Sequence, residues 1–257
     1  MVAAGKADFG VSYQEDVTYA LTSEDPLPIK TIATIIQHNT SGFVSLKSAN
    51  INSVKDFEGK TYAGWGAPSE EAVIKAVMNE AGADFSKLNI VGSDGSGIAG
   101  LSDEVGKNKV NLGWEFYGWA TIKAMQDGYD LNYMPLADLD SRLDYYTPVI
   151  ITNNKMIKKN SDTIQKFMEA TKKGYEYAID HPSKAAEILH DDALTDTDLK
   201  FLKESQKYLS SQYAKDADSW GVMKDSVWDN YTDFMYETGL IDHKIDAKDQ
   251  YTNEFVK

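Results

Sequence analysis

Short apolar runs and helical patterns alternate through the first half of the chain. Residues 7–12, Ala-Asp-Phe-Gly-Val-Ser, predict a short strand after a helix end at Gly5. Leu27 to Gln37 is an apolar, β-rich run that starts in a Pro-bracketed turn, and Gly42 to Leu46 is a further strand. Ile51 to Lys60 reads as a one-turn helix stopped by Gly59, and Thr61 to Gly64 as a strand entering a Gly/Pro loop. Ser69 to Ala81 has Val73, Ala76, Val77 and Glu80 at helical spacing, with Glu70 and Glu71 in the first turn, where acids favour the helix dipole. The pattern then predicts a strand at Leu88–Val91, a helix at Ile98–Lys107, a strand at Val110–Trp114 and a helix at Gly118–Asp127. Such alternation implies an α/β fold with a parallel sheet.

The second half reads as mainly helical. Ser161 is placed as the cap of a helix whose Ile164, Phe167, Met168 and Tyr175 share one face. His181-Pro182-Ser183 ends that helix and starts the next. Further helices are expected at about 196–210 and 219–237, and the stripe of Trp220, Met223, Val227, Tyr231 and Phe234 reads as core packing. With no linker, repeat or low-complexity tract, a two-lobed arrangement requires lobes joined by crossing strands.

The net charge of −14 and pI near 4.7 repel phosphate backbones, so nucleic acid is excluded as a partner. Of the 26 basic residues only Arg142 is Arg, the usual bidentate clamp for carboxylate, sulfonate or phosphate. That scarcity leans mildly against amino-acid, sulfonate or phosphate ligands, and a codon bias toward Lys accounts for the larger share of it. The absence of Cys removes thiol nucleophiles, thiolate metal sites and disulfides together. His38, His181, His190 and His243 are scattered without metal-ligand spacing and read as surface or helix-end residues, so neither a metal nor a cofactor is expected.

Three segments gather aromatic and polar residues where strands end, the place where open α/β sheets bind ligands. Gly64-Trp65-Gly66-Ala67-Pro68-Ser69-Glu70 is a Gly-rich turn into a helix N-terminus, with Trp65 as a stacking face; it also reads simply as a tight strand-to-helix turn. Trp114-Glu115-Phe116-Tyr117-Gly118-Trp119 sets an acid among large rings. Glu115 follows an apolar strand, and a partly buried carboxylate requires a partner. An amidine-like edge, such as that of an aminopyrimidine, supplies two donors; backbone amides at a helix start are the competing explanation. Tyr145-Tyr146-Thr147-Pro148-Val149 reads either as a hinge strand lining a cleft or as an edge strand with exposed tyrosines.

In their order and spacing these segments resemble the pyrimidine-precursor-binding proteins of thiamine salvage, the solute-binding components of ABC importers. Gly-Trp-Gly at 64–66, Trp-x-x-x-Gly-Trp at 114–119 and Tyr-Tyr-Thr-Pro-Val at 145–149 carry the resemblance. It extends from Val2–Ser12 through Asp56–Gly66 to Gly174–Ala178, Ser205–Ser210, Gly239–Ile241 and Tyr251–Phe255. The resemblance implies an α/β, two-lobed periplasmic-binding-protein fold of type II. One lobe would hold residues 1–46 and 149–257, the other 47–148. It implies extracytoplasmic capture of an aminopyrimidine in the interlobe cleft and delivery to a permease, without enzymatic activity. Glu115 falls where the family places an acid that grips the pyrimidine edge. Trp65, Trp114, Tyr117 and Tyr145 form the expected aromatic wall, and Tyr13 and Glu15 are expected from the other lobe.

Family members usually begin with a strand, a helix and a second strand ahead of the segment that opens this chain. A first lobe without those units exposes sheet edge and apolar surface, so self-association is a further expectation. No signal peptide is visible in Met1–Lys6. Two alternatives remain on the same fold. One is another solute: a flavin precursor, a nitrile or a sulfonate. The other is the related eukaryotic synthase group, which consumes its own histidine and a pyridoxal phosphate held on a lysine. By resemblance those residues fall near Asp16 and Ser12, and that group's cysteine-rich segment near Tyr145–Val149, so its reactive residues are missing here.

Overall fold

The computed structural model describes residues 1–106 and 109–256. The chain divides into two compact units, Met1–Asn39 with Asp144–Lys257, and Thr40–Leu143. The expected lobe boundaries therefore move: residues 40–46 sit with the second unit and residues 144–148 with the first. Strand pairing is the reason, because Ser41–Leu46 is hydrogen-bonded on both sides to strands of the second unit.

The first unit is built on an antiparallel three-stranded sheet in the order β1 (Phe9–Ser12), β8 (Val149–Asn153), β2 (Ile29–Thr34). Val149 and Ile151 enter one buried cluster with Val17, Ile29 and Trp228, and Ile150 enters another with Ile32, Ile164, Met168 and Trp220. A strand buried on both faces loses its alternation, which is why Val-Ile-Ile is a continuous apolar run. Around the sheet lie α1 (Gln14–Thr22), α5 (Asn154–Lys159), α6 (Ser161–Asp180), α7 (Pro182–Asp192), α8 (Leu199–Ser210), α9 (Asp225–Glu237) and α10 (Ala247–Gln250). Asn160, not Ser161, occupies the N-cap of α6. Asp198 caps α8 by accepting from the Phe201 N–H at 2.9 Å. Trp220 and Met223 are buried as expected but precede α9, which starts only at Asp225.

The second unit holds a five-stranded sheet in the order β5 (Asn89–Gly92), β4 (Thr61–Gly64), β6 (Leu112–Phe116), β3 (Ser41–Leu46), β7 (Leu131–Pro135), with α2 (Pro68–Glu80), α3 (Ile122–Gln126) and α4 (Leu136–Leu139). It is mixed rather than parallel throughout. β4 runs parallel to β5 and β6, while β3 is antiparallel to β6 and β7. The expected helix from Ile98 is replaced by a single 3-10 turn, Gly97–Gly100. The Asn111 amide donates to Ser102 O at 3.1 Å and Glu104 O at 2.8 Å, occupying carbonyls that a helix would use internally. Lys107, where that helix was expected to end, lies outside the described residues. Among the described residues no helix is long and apolar enough to cross a membrane.

Candidate functional site

β4 delivers the chain to the first aromatic loop. Beyond Gly64, residues 65–67 turn into α2, and Gly66 has φ +80°, a conformation that favours glycine. The loop is fastened from beneath by Glu70, which is 3% exposed. Its carboxylate accepts from the Tyr62 hydroxyl, from the Trp65 N–H at 3.2 Å and from the Gly66 N–H at 2.8 Å. Gly64 is required because a Cβ there would collide with that carboxylate. The arrangement leaves the Trp65 side chain 61% exposed, its ring tilted 60° to Trp114 with centroids 5.2 Å apart.

β6 supplies the second part. It runs two residues past the expected Trp114, so Glu115 lies within the strand, opposite Gly42 of β3. It is therefore not a helix-start acid satisfied by amides. Tyr133 donates to the backbone carbonyls of Thr40 at 2.7 Å and Glu115 at 3.2 Å, and Tyr117 packs edge-on against it with centroids 5.1 Å apart. After β6 the chain forms a π-turn, Tyr117–Thr121, instead of entering an α-helix at once; such turns recur at functional sites.

A cavity of about 310 Å³ opens beyond the carboxyl ends of the parallel strands β4, β5 and β6. Trp65, Trp114 and Glu115 line it, together with Gly92, Ser93, Asp94 and Ser96–Ile98. No Lys or Arg lines it among the described residues. The Glu115 side chain faces Gly97: a Cβ added there would stand 3.6 Å from Oε1. Among the described residues the Glu115 carboxylate has neither a hydrogen-bond donor nor a cation, and its burial pushes the pKa above the usual 4.5. Asp94 differs, because the hydroxyl and N–H of Ser96 hold its pKa below the ordinary value. The site thus combines one half-buried double acceptor, without a donor among the described residues, with flat apolar faces, a recognition set for a planar donor-bearing solute.

Tyr145, Tyr13 and Glu15 belong to the other unit. Tyr145 is buried, stacked on Tyr231 with centroids 4.0 Å apart, and burial pushes its phenol pKa up. Its ring is packed into the fold instead of lining an open surface. Tyr13, at the N-cap of α1, is 47% exposed, and Glu15 accepts from the Tyr231 hydroxyl at 3.2 Å. Ser12 and Asp16, near which the resemblance puts the synthase group's lysine and histidine, are joined by a 3.3 Å hydrogen bond. With no amine at Ser12 and no imidazole at Asp16, these residues do not fit an aldehyde cofactor such as pyridoxal phosphate.

Sequence reasoning missed Glu70, the Ser93–Gly97 wall and Tyr231. An acid in the first turn after a Gly-rich loop signals Glu70, although a dipole role explains that acid as well. His38, read as a surface residue, is half-buried: Nδ1 lies 2.6 Å from Asp144 Oδ2 and Nε2 lies 3.4 Å from Asp216 Oδ2. The Asp144 hydrogen bond is the largest cause holding its pKa above 6.5. A histidine raised on folding contributes stability that is full below its unfolded pKa and is lost as pH rises through the folded one. His38→Asn is therefore expected to lower Tm more at about pH 5.5 than at about pH 8.5 in calorimetric scans. Equal losses at both would remove the charged pair from the account.

The sequence profile described as NMT1/THI5 like matches residues 1–185. The chain belongs to the NMT1/THI5-like family. It shares 24% identity over 235 residues with a formylaminopyrimidine-binding protein of Halalkalibacterium halodurans, covering 86% of this chain and 68% of that protein. It is likewise 24% identical over 252 residues to the riboflavin-binding protein RibY of Chloroflexus aurantiacus, covering 92% and 67%. At 22% identity it matches a 4-amino-5-hydroxymethyl-2-methylpyrimidine phosphate synthase of Legionella pneumophila, covering 100% and 78%. Of these three relatives, two are named as binding proteins and one as an enzyme. Among solved structures, the alkanesulfonate-binding protein SsuA of Xanthomonas axonopodis pv. citri, bound to MOPS, superposes with a TM-score of 0.70. That match has 11% identity and covers 98% of this chain and 82% of that one. The fold of this family member is the type II periplasmic-binding-protein fold.

Proposed function

We propose that this protein is the extracytoplasmic solute-binding component of an ABC importer and captures an aminopyrimidine precursor of thiamine for delivery to a permease. The observation that carries this reading is Glu115. A half-buried carboxylate without a partner, in a cavity walled by Trp65 and Trp114, is costly unless a ligand supplies donors. The amino group and neighbouring ring nitrogen of a protonated aminopyrimidine supply two, while the indoles cover the ring. The formylaminopyrimidine-binding relative supports the same ligand class. A sulfonate suits the site poorly, since Glu115 and Asp94 line the cavity and no lining cation is present among the described residues. The riboflavin-binding relative favours a flavin as the second reading. Synthase chemistry is the least favoured reading, because by resemblance that group's lysine and histidine fall near Ser12 and Asp16, which carry neither side chain.

Thermal-shift titration separates these readings, since a ligand that binds only the native state stabilises it by RT ln(1 + [L]/Kd). Aminopyrimidines should raise Tm while riboflavin and alkanesulfonates leave it unchanged; the reverse pattern replaces this reading. If Trp65 stacks on the bound ring, Trp65→Ala costs about 1–3 kcal/mol of affinity by calorimetric titration, the range found for base–aromatic stacking. An unchanged Kd removes Trp65 from the site.

A further inference from the structure

A third acid stands beside the cavity without lining it. Glu70 is buried beneath the loop that presents Trp65 and spends its carboxylate on three donors: the Tyr62 hydroxyl and the N–H groups of Trp65 and Gly66. No lysine, arginine or histidine pairs with it among the described residues. Glu70 is the third residue of α2, a position from which an acid commonly reaches back to the N–H of the N-cap residue, here Ala67. Glu70 instead reaches back across residues 65–67 to the two peptide groups that flank the Trp65 side chain. Around this contact the backbone is specialised at both neighbouring glycines. Gly64 has no room for a Cβ because Glu70 fills the space, and Gly66 adopts φ +80°. Trp65 itself receives little support from packing, being 61% exposed and touching Trp114 at a tilt. The two amides on either side of its Cα are therefore held chiefly by Glu70.

We infer that Glu70 is a positioning residue for solute binding, acting only through Trp65 by clamping the loop amides so that the indole stands ready over the cavity. The inference rests on the binding reading above. Gln keeps the shape of Glu70 but presents an amide donor to a set of three donors, leaving one of them unpaired. Asp keeps the charge but is one methylene too short to reach the loop. Both changes should release the indole while β4 and α2 remain in place.

A double-mutant cycle tests this, read as the Kd of an aminopyrimidine by calorimetric titration. Glu70→Gln and Glu70→Asp are each expected to weaken binding about tenfold when Trp65 is present, and less than about twofold in a Trp65→Ala background. The fluorescence difference between Trp65-containing and Trp65→Phe proteins should shift in wavelength on Glu70→Asp, reporting a changed indole environment. Equal losses of affinity in both Trp65 backgrounds would show a general effect on the fold and overturn the inference. So would unchanged affinity in both Glu70 variants. Trp65→Ala binding as tightly as the parent would overturn the stacking reading beneath it, a result distinguishable because it does not depend on Glu70. Asp provides the measurement if the Gln variant does not fold.

Discussion

Glu115→Gln is expected to weaken aminopyrimidine binding by at least about tenfold and, in the same molecule, to steady the empty protein. The two effects have one cause. The carboxylate has no donor among the described residues, and burial raises its pKa above 4.5. An acid raised on folding is bound to its proton more tightly in the native state than in the unfolded chain. Its contribution to stability is therefore lost as pH rises from the unfolded pKa through the folded one. Above the folded pKa the native state carries that full penalty, and the amide removes it. Tm of the ligand-free variant should exceed that of the parent at about pH 7, and the gain should vanish near about pH 4, where both proteins are uncharged at this position. Binding responds in the opposite sense. The ionised acid is a double acceptor and gives charge-assisted bonds to a donor–donor edge, whereas Gln turns one acceptor into a donor facing a donor. Calorimetric titration and thermal scans of the same preparation measure both. A variant that loses affinity without the stability gain would mean that Glu115 is already satisfied before ligand arrives. A variant unchanged in both would place the acid outside the site.

The parts of the site that were legible in the sequence are those whose chemistry is local. Trp65, Trp114 and Glu115 stand close to strand ends, and strand ends can be read from apolar runs bounded by Gly and Pro. β4 coincides with its predicted residues, Thr61–Gly64, because a turn-forming pair follows it directly. What was not legible depends on partners far away in the chain. Ser41–Leu46 carries no sign that it is hydrogen-bonded to both Leu112–Phe116 and Leu131–Pro135, so neither its unit nor the antiparallel half of the sheet followed from the pattern. The helical periodicity beginning at Ile98 was real, but Asn111 takes its carbonyls and the segment stays open. Tyr145 illustrates the same limit. A run of tyrosines before Pro148 reads as a cleft wall or an exposed edge; the ring of Tyr231, far along the chain, is what buries it.

Phe43→Ala is expected to produce the largest loss of stability in the second unit, about 3–5 kcal/mol, the usual range for emptying a buried aromatic site. Phe43 is fully buried on β3, and its ring meets Phe57, Tyr62 and Trp114 edge-on at centroid distances of 5.2, 6.3 and 5.8 Å. Each neighbour belongs to a different segment, so the space left by the ring cannot be closed by one side chain changing rotamer. Two of the neighbours also lead to the site. Tyr62 donates to Glu70 beneath the Trp65 loop, and Trp114 stands directly across from Phe43 in the β3–β6 register. The substitution should therefore weaken solute binding even under conditions in which nearly all molecules are folded. Phe43→Leu keeps much of the volume and should cost roughly half as much stability. Urea unfolding gives the first quantity and titration calorimetry in native buffer the second. A Phe43→Ala protein that is destabilised yet binds with the parent's affinity would separate the aromatic core from the cavity, and Trp114 would then owe its position to the strand backbone alone.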